Sequence, residues 1–190
     1  NPVNLLGLPV LPGAVHPLLI TISTIVTLVA LLIIGVVADR SPHPQWWLGG
    51  LAWVGAAAAS AMFFLDGTNW QLGAVLMIIA NLCVGSSQVI YDGILVRIAA
   101  PDDRDRVSSR GWALGYLGGG LLLALNLVLM TAYDSFGISY GLAIRLSLLS
   151  AGLWWGLFTI IPVLGLRSLP PRALDELQQR ADVRRNPVRQ

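Results

Sequence analysis

The chain has no lysine, one cysteine, two histidines and few charges of any kind: charged residues make up 12% of its 190 residues, about half of the ~25% usual in a soluble domain. Each shortage excludes something. A lone Cys83 cannot form an intrachain disulfide, and there is no Cys-x-x-Cys pair to hold a metal or run thiol chemistry. His16 and His43 are the only histidines and are far apart in sequence, so no His-x-x-x-His ligand pair exists. No metal site, cofactor or catalytic residue is therefore expected. The pI near 9.1 comes from arginines alone. Their placement, described next, points to membrane topology and lipid headgroups rather than nucleic acid.

What the chain has instead is long apolar runs. Residues 17–38, 46–65, 70–91, 111–133 and 146–166 contain no Asp, Glu, Lys or Arg. A helix of roughly 20 apolar residues crosses the ~30 Å hydrocarbon core of a bilayer. No soluble core needs five such runs in succession, so the expected fold is all-α: a polytopic bundle of five transmembrane helices.

The flanks orient that bundle. Counted alternately, 1–16, 66–69 and 134–145 fall on one side, and 39–45, 92–110 and 167–190 on the other. The second side holds Arg40, Arg97, Arg104, Arg106, Arg110, Arg167, Arg172, Arg180, Arg184, Arg185 and Arg189, and the first only Arg145. Excess arginine marks the cytoplasmic side, which makes the protein a multi-pass protein of the cell membrane with its C-terminus cytoplasmic. Residues 1–16 read as an outer loop, punctuated by Pro2, Pro9 and Pro12. They are too short and proline-broken to carry that end across, so a first transmembrane helix is expected to precede them. Residues 167–190 read as a cytoplasmic linker, in which Leu174, Leu177 and Ala181 have the spacing of a short, weakly amphipathic helix.

Polar side chains within the apolar runs are the candidates for function. Asn81, Gln88 and Asp92 fall at i, i+7 and i+11, on one helical face. Tyr116 and Asn126 lie in the fourth run. An amide in hydrocarbon without a partner costs several kcal/mol, so these residues should face the bundle interior or a wet cavity. Asn81, Gln88, Tyr116 and Asn126 are thus candidates for a substrate cavity, with interhelical hydrogen bonding as the alternative for each. No carboxylate lies in mid-span; Asp92, at an inner end, is the candidate for proton coupling. Gly85-Ser86-Ser87 offers no serine nucleophile, because no run contains a histidine to serve as its base.

Glycines supply a second pattern. Gly111, Gly115 and Gly119 repeat every four residues on one stripe of the fourth run, where small residues allow a neighbouring helix to pack closely. Gly35-x-x-x-Asp39-Arg40 joins the first two runs at the inner surface. There Asp39 can cap a helix N-terminus or pair with an arginine of a neighbouring loop. With Arg104, Arg106 and Arg110 these residues form a candidate cytoplasmic gate.

Gly35-x-x-x-Asp39-Arg40, between two adjacent spans, resembles the loop motif between the second and third helices of the major facilitator superfamily. After Arg40 the sequence departs, with Ser41-Pro42-His43-Pro44 in place of the usual glycine and paired basic residues. The stretch Arg106-Val-Ser-Ser-Arg-Gly-Trp-Ala-Leu-Gly-Tyr-Leu-Gly-Gly-Gly120, with Gly7-Leu-Pro-Val near the start, resembles the vacuole effluxer branch, which includes yeast-type amino-acid exporters. The resemblance covers nearly the whole chain. It implies helices two to six of a twelve-helix secondary transporter, most of its N-terminal six-helix half, moving a small solute such as an amino acid by alternating access. The partners so implied are membrane lipid, the solute, and the first helix and C-terminal half of the same transporter. The alternative reading is a membrane scaffold or assembly subunit that uses the same glycines and arginines for packing and partner binding.

Overall fold

The computed structural model describes residues 3–5, 8–10, 12–66 and 69–171. Five helices dominate it: α1 Pro12–Arg40, α2 Pro44–Ala61, α3 Trp70–Ile98, α4 Arg104–Thr131 and α5 Tyr140–Leu166. Each is long and apolar enough to cross a membrane. The fold is an all-α polytopic bundle, part of a major facilitator fold. It is preceded by a short antiparallel hairpin, β1 Val3–Leu5 with β2 Leu8–Val10, in which Val3 pairs with Val10.

The helices outrun the charge-free stretches. α1 starts at Pro12, within the residues read as outer loop, and α2 starts at Pro44, with proline at a first-turn position where its missing N–H costs nothing. α3 continues past Asp92 to Ile98, and α4 already begins at Arg104. The charged 92–110 connection is therefore mostly helix, turned by the 3₁₀ segment Pro101–Asp103. Between α4 and α5 the chain reverses through Gly137, whose φ of 67° suits a residue without a Cβ. Ser139 then caps α5, its hydroxyl accepting from the Leu142 N–H at 3.2 Å.

α2 is the centre of the packing. It lies against both α3 and α5, while α1 packs on α3. Small residues make this possible. Gly55 of α2 faces the Trp155 ring of α5 and the Cys83 side chain of α3, and Gly152 of α5 lies on the backbone of α2 at Ala56 and Ser60. Trp53 donates from Nε1 to the Gly156 carbonyl at 3.2 Å, a further tie between α2 and α5. At the arginine-rich end, Ala38, Leu48, Ile90 and Ile94 form a buried cluster joining α1, α2 and α3. α4 is the exception. It touches α5 and α3 only lightly and has no buried residue.

Residues 172–190 lie outside the described residues, and with them the expected amphipathic helix of the linker.

Candidate solute cavity and inner gate

Two hollows meet at one pair of side chains. The first, of about 320 Å³, lies over α2 between α3 and α5. It is lined by Leu48 and Ala52 of α2, by Ser87, Gln88 and Tyr91 of α3, and by Trp155, Thr159 and Pro162 of α5, among others. The second, of about 230 Å³, lies between α3 and α4 and is lined by Gln88, Tyr91, Gly111, Trp112 and Gly115. Gln88 and Tyr91 belong to both, because they sit about one turn apart on α3.

The walls are apolar with a few hydrogen-bonding groups. The Ser87 hydroxyl is buried without a hydrogen-bond partner. Thr159 is nine-tenths buried but satisfied, donating to the Trp155 carbonyl at 2.8 Å. Pro162 has no N–H to offer the Phe158 carbonyl one turn back. Beside the second hollow, Trp112 and Tyr116 lie ring against ring at 5.8 Å. Gly111 lies close to the Tyr91 hydroxyl: a Cβ there would stand 3.0 Å from it, a tight contact that a small shift of the tyrosine tip would relieve.

The sequence candidates separate on this frame. Gln88 and Tyr116 come to the same region, Gln88 in the wall and Tyr116 stacked on Trp112 and 74% exposed. Asn126 accepts a 3.0 Å hydrogen bond from the Ser150 hydroxyl and ties α4 to α5. The same hydroxyl lies 2.8 Å from the Ser147 carbonyl, so its single proton is shared between the two acceptors. The Asn126–Ser150 bond is of the interhelical kind named as the alternative. Asn81 and Asp92 are exposed on α3. Loss of the Asn126–Ser150 bond is worth about 1 kcal/mol. Ser150→Ala should therefore lower the thermal midpoint of the parent protein by a few degrees and leave solute flux within about twofold; a large flux loss at unchanged stability would return Asn126 to the cavity.

At the arginine-rich end, one of the gate arginines acts on backbone. Arg104 donates to the Ala99 carbonyl at 3.4 Å and to the Val96 carbonyl at 3.3 Å, closing the C-terminal turn of α3. Arg106 pairs with Asp103 at 2.9 Å, three residues away and solvent-exposed, where such a pair contributes little. Arg110 is exposed, as is Arg40 in the last turn of α1. The backbone of Asp39 is part of that turn, but its side chain lies outside the described residues. Gly35 faces α3: a Cβ there would stand 3.8 Å from Val89 Cγ1, an ordinary contact.

Glycine is used differently from the sequence expectation. Along the 111–115–119 stripe, a Cβ at Gly115 or Gly119 would meet nothing within 4 Å. Close approach occurs instead at Gly55, Gly85 and Gly152, and Gly85 lies against Thr27 of α1. Sequence reasoning also misses Trp112 as a wall residue, and it leaves Ser87, a polar residue of the third run, out of the cavity candidates. A signal exists for both: Trp112 lies next to Gly111, and Ser87 immediately precedes Gln88.

Comparison with known proteins places this architecture. The family described as "Vacuole effluxer Atg22 like" matches residues 1–104 and 97–189. The MFS-type transporter YxiO of Bacillus subtilis is 27% identical over 74% of this chain and 33% of its own length. Autophagy-related protein 22-1 of Phaeosphaeria nodorum is 23% identical over 78% of the chain and 32% of its own length. Autophagy-related protein 22-2 of Aspergillus oryzae is 22% identical over 96% of the chain and 40% of its own length. The chain thus spans about a third of the length of the relatives it matches. No solved structure matches it significantly. With two family segments that together run nearly end to end and five membrane-length helices between them, the chain belongs to the Atg22-like vacuole effluxer family.

Proposed function

We propose that this chain is five helices of the N-terminal half of a secondary transporter that moves a small solute by alternating access. The relatives carry transporter and effluxer names; amino acids are the first solutes to try, on the resemblance to the vacuole effluxer branch alone. In such folds, two halves rock about a site near the bilayer midplane. The observation that carries this reading is the Gln88–Tyr91 pair at the meeting of two hollows, beside the unpartnered Ser87 hydroxyl. Hydrogen-bonding groups set in an apolar wall are what a small-solute site needs. In the solute-bound state, Gln88 and Tyr91 hold polar atoms of the solute, and Trp112 and Tyr116 offer ring faces on the α4 side. The arginine-rich end faces the cytoplasm, and the protein is a multi-pass protein of the cell membrane.

The scaffold alternative draws on Asn126, whose bond to Ser150 joins two helices as a packing subunit requires. Water access separates the two readings. In the full-length parent, Gln88→Cys should react with a membrane-impermeant thiol reagent and be protected by transported solute. A cysteine at that position that never reacts from either side would favour the scaffold.

The gate makes a separate prediction. Asp39 and Arg40, with Arg104, Arg106 and Arg110, lie at the inner surface as a set of charges that separates when the cavity opens inward. Asp39→Ala is expected to cut flux severalfold without impairing membrane insertion. Unchanged flux would remove Asp39 from the gate. Proton coupling through Asp92 has its own check: a pH dependence of transport that persists in Asp92→Asn would place the coupling group elsewhere.

A further inference from the structure

The chain does not leave the bundle where α5 ends. After Leu166 it turns, with the Leu169 N–H donating to the Leu166 carbonyl at 3.0 Å. It then runs back over the inner ends of the other helices. Two side chains from two different helices hold its backbone. Gln45, in the first turn of α2 and only 3% exposed, donates from Nε2 to the Leu169 carbonyl at 3.3 Å. Arg97, in the last turn of α3, donates from Nη2 to the Pro170 carbonyl at 2.7 Å. The Leu166 and Leu169 side chains pack against the buried cluster of Ala38, Leu48, Ile90 and Ile94. Gln45 also lies 3.5 Å from the His43 ring, so the α1–α2 turn joins the same contact.

This arrangement is unlike a solvated connection. A buried glutamine is costly unless its amide is used, and here the amide meets a carbonyl 124 residues away in sequence. A guanidinium bonded to a carbonyl makes one of the stronger hydrogen bonds. We propose that residues 167–171 form a clasp that ties the exit of α5 to the inner ends of α1, α2 and α3. The clasp makes these four helices one unit at that end. α4, with no buried residue, stays outside it. Whatever follows in the chain then pulls on the whole unit from Pro171, not on the end of α5 alone. The bearing of the clasp on transport rests on the transporter reading, but its existence does not, and the test below involves no flux.

Trypsin provides the test, because the Arg167–Ser168 bond lies within the clasp and Arg167 is exposed. Cleavage of a transiently opened segment follows the population of the open form when reclosing is fast. In the detergent-solubilised full-length parent, Gln45→Leu removes the donor at similar size and also removes the buried Gln45 oxygen that has no partner, so the fold should hold. Cleavage after Arg167 is expected to be about fivefold faster, the equivalent of one hydrogen bond of about 1 kcal/mol. Combining it with Arg97→Leu should exceed that. Trp53→Phe removes a bond between α2 and α5 away from the clasp and should leave the rate unchanged. A wild-type rate in Gln45→Leu, or an equal acceleration in Trp53→Phe, would overturn the proposal.

Discussion

Gln88→Leu in the full-length parent transporter should lower the initial rate of solute flux at least about tenfold at unchanged protein level. Leucine keeps the bulk of the side chain and removes both its hydrogen-bonding ends. Gln88 lies in the wall of both hollows, so a solute seated in either would lose a partner there. A site group left unpaired costs about 1–3 kcal/mol, and about 1.4 kcal/mol is a factor of ten. Stability should hold or rise slightly, because an amide is removed from an apolar wall. Flux within twofold of wild type would remove Gln88 from the solute path. Gln88→Asn, which keeps the amide on a shorter stem, should fall between the two.

The second large effect is structural. Gly152→Leu should prevent accumulation of folded protein, read as loss of the monodisperse peak in detergent and a collapsed thermal midpoint. A Cβ at Gly152 would run into the backbone of α2, with the Ala56 carbonyl oxygen at 2.7 Å and the Ser60 amide closer still. Backbone cannot rotate away as a flexible side chain can, so α5 would have to lift from α2. Overpacking of a tight site costs typically about 1–3 kcal/mol even where neighbours can adjust, and this interface is central to the bundle. A normally folded Gly152→Leu protein would show that α2 and α5 do not approach this closely. Gly115→Leu makes the useful contrast. A Cβ at Gly115 meets nothing within 4 Å inside this chain, so destabilisation there would report a neighbour from elsewhere in the parent protein.

That contrast shows what the sequence can and cannot tell. The five helices are legible because each uncharged run is as long as a bilayer is thick, and charge-free length needs no tertiary information. Their ends are not, because Arg104, Asp105 and Arg106 extend α4 beyond the apolar run, and charged residues such as arginine are good helix formers outside hydrocarbon. Glycine spacing identifies a packing stripe on α4, but packing needs a partner. The glycines that admit one include Gly55, which belongs to no four-residue glycine repeat, and Gly152, which stands four residues before Gly156 on the same face of α5; that spacing is no different from the stripe on α4, and only the presence of α2 against it tells the two apart. In the candidate site, Gln88 is legible as a polar residue that lipid would not tolerate. The same reasoning applies equally to Asn126, and only the Ser150 hydroxyl at 3.0 Å separates the two roles. Gln45 cannot be found in this way. It sits at the start of α2 beside prolines, where a glutamine looks solvated, and its role depends on a carbonyl contributed by the other end of the chain.

Whether this fold belongs to a working transporter is decided by flux. The full-length parent would be reconstituted in liposomes and given labelled amino acids under an imposed pH gradient. A transporter gives saturable flux that is lost in Gln88→Leu and retained in Ser150→Ala, and that is the expected result. Absence of flux for every amino acid, in protein shown to be folded and with Gln88→Cys unreactive from both sides, would contradict the transporter reading and leave the scaffold.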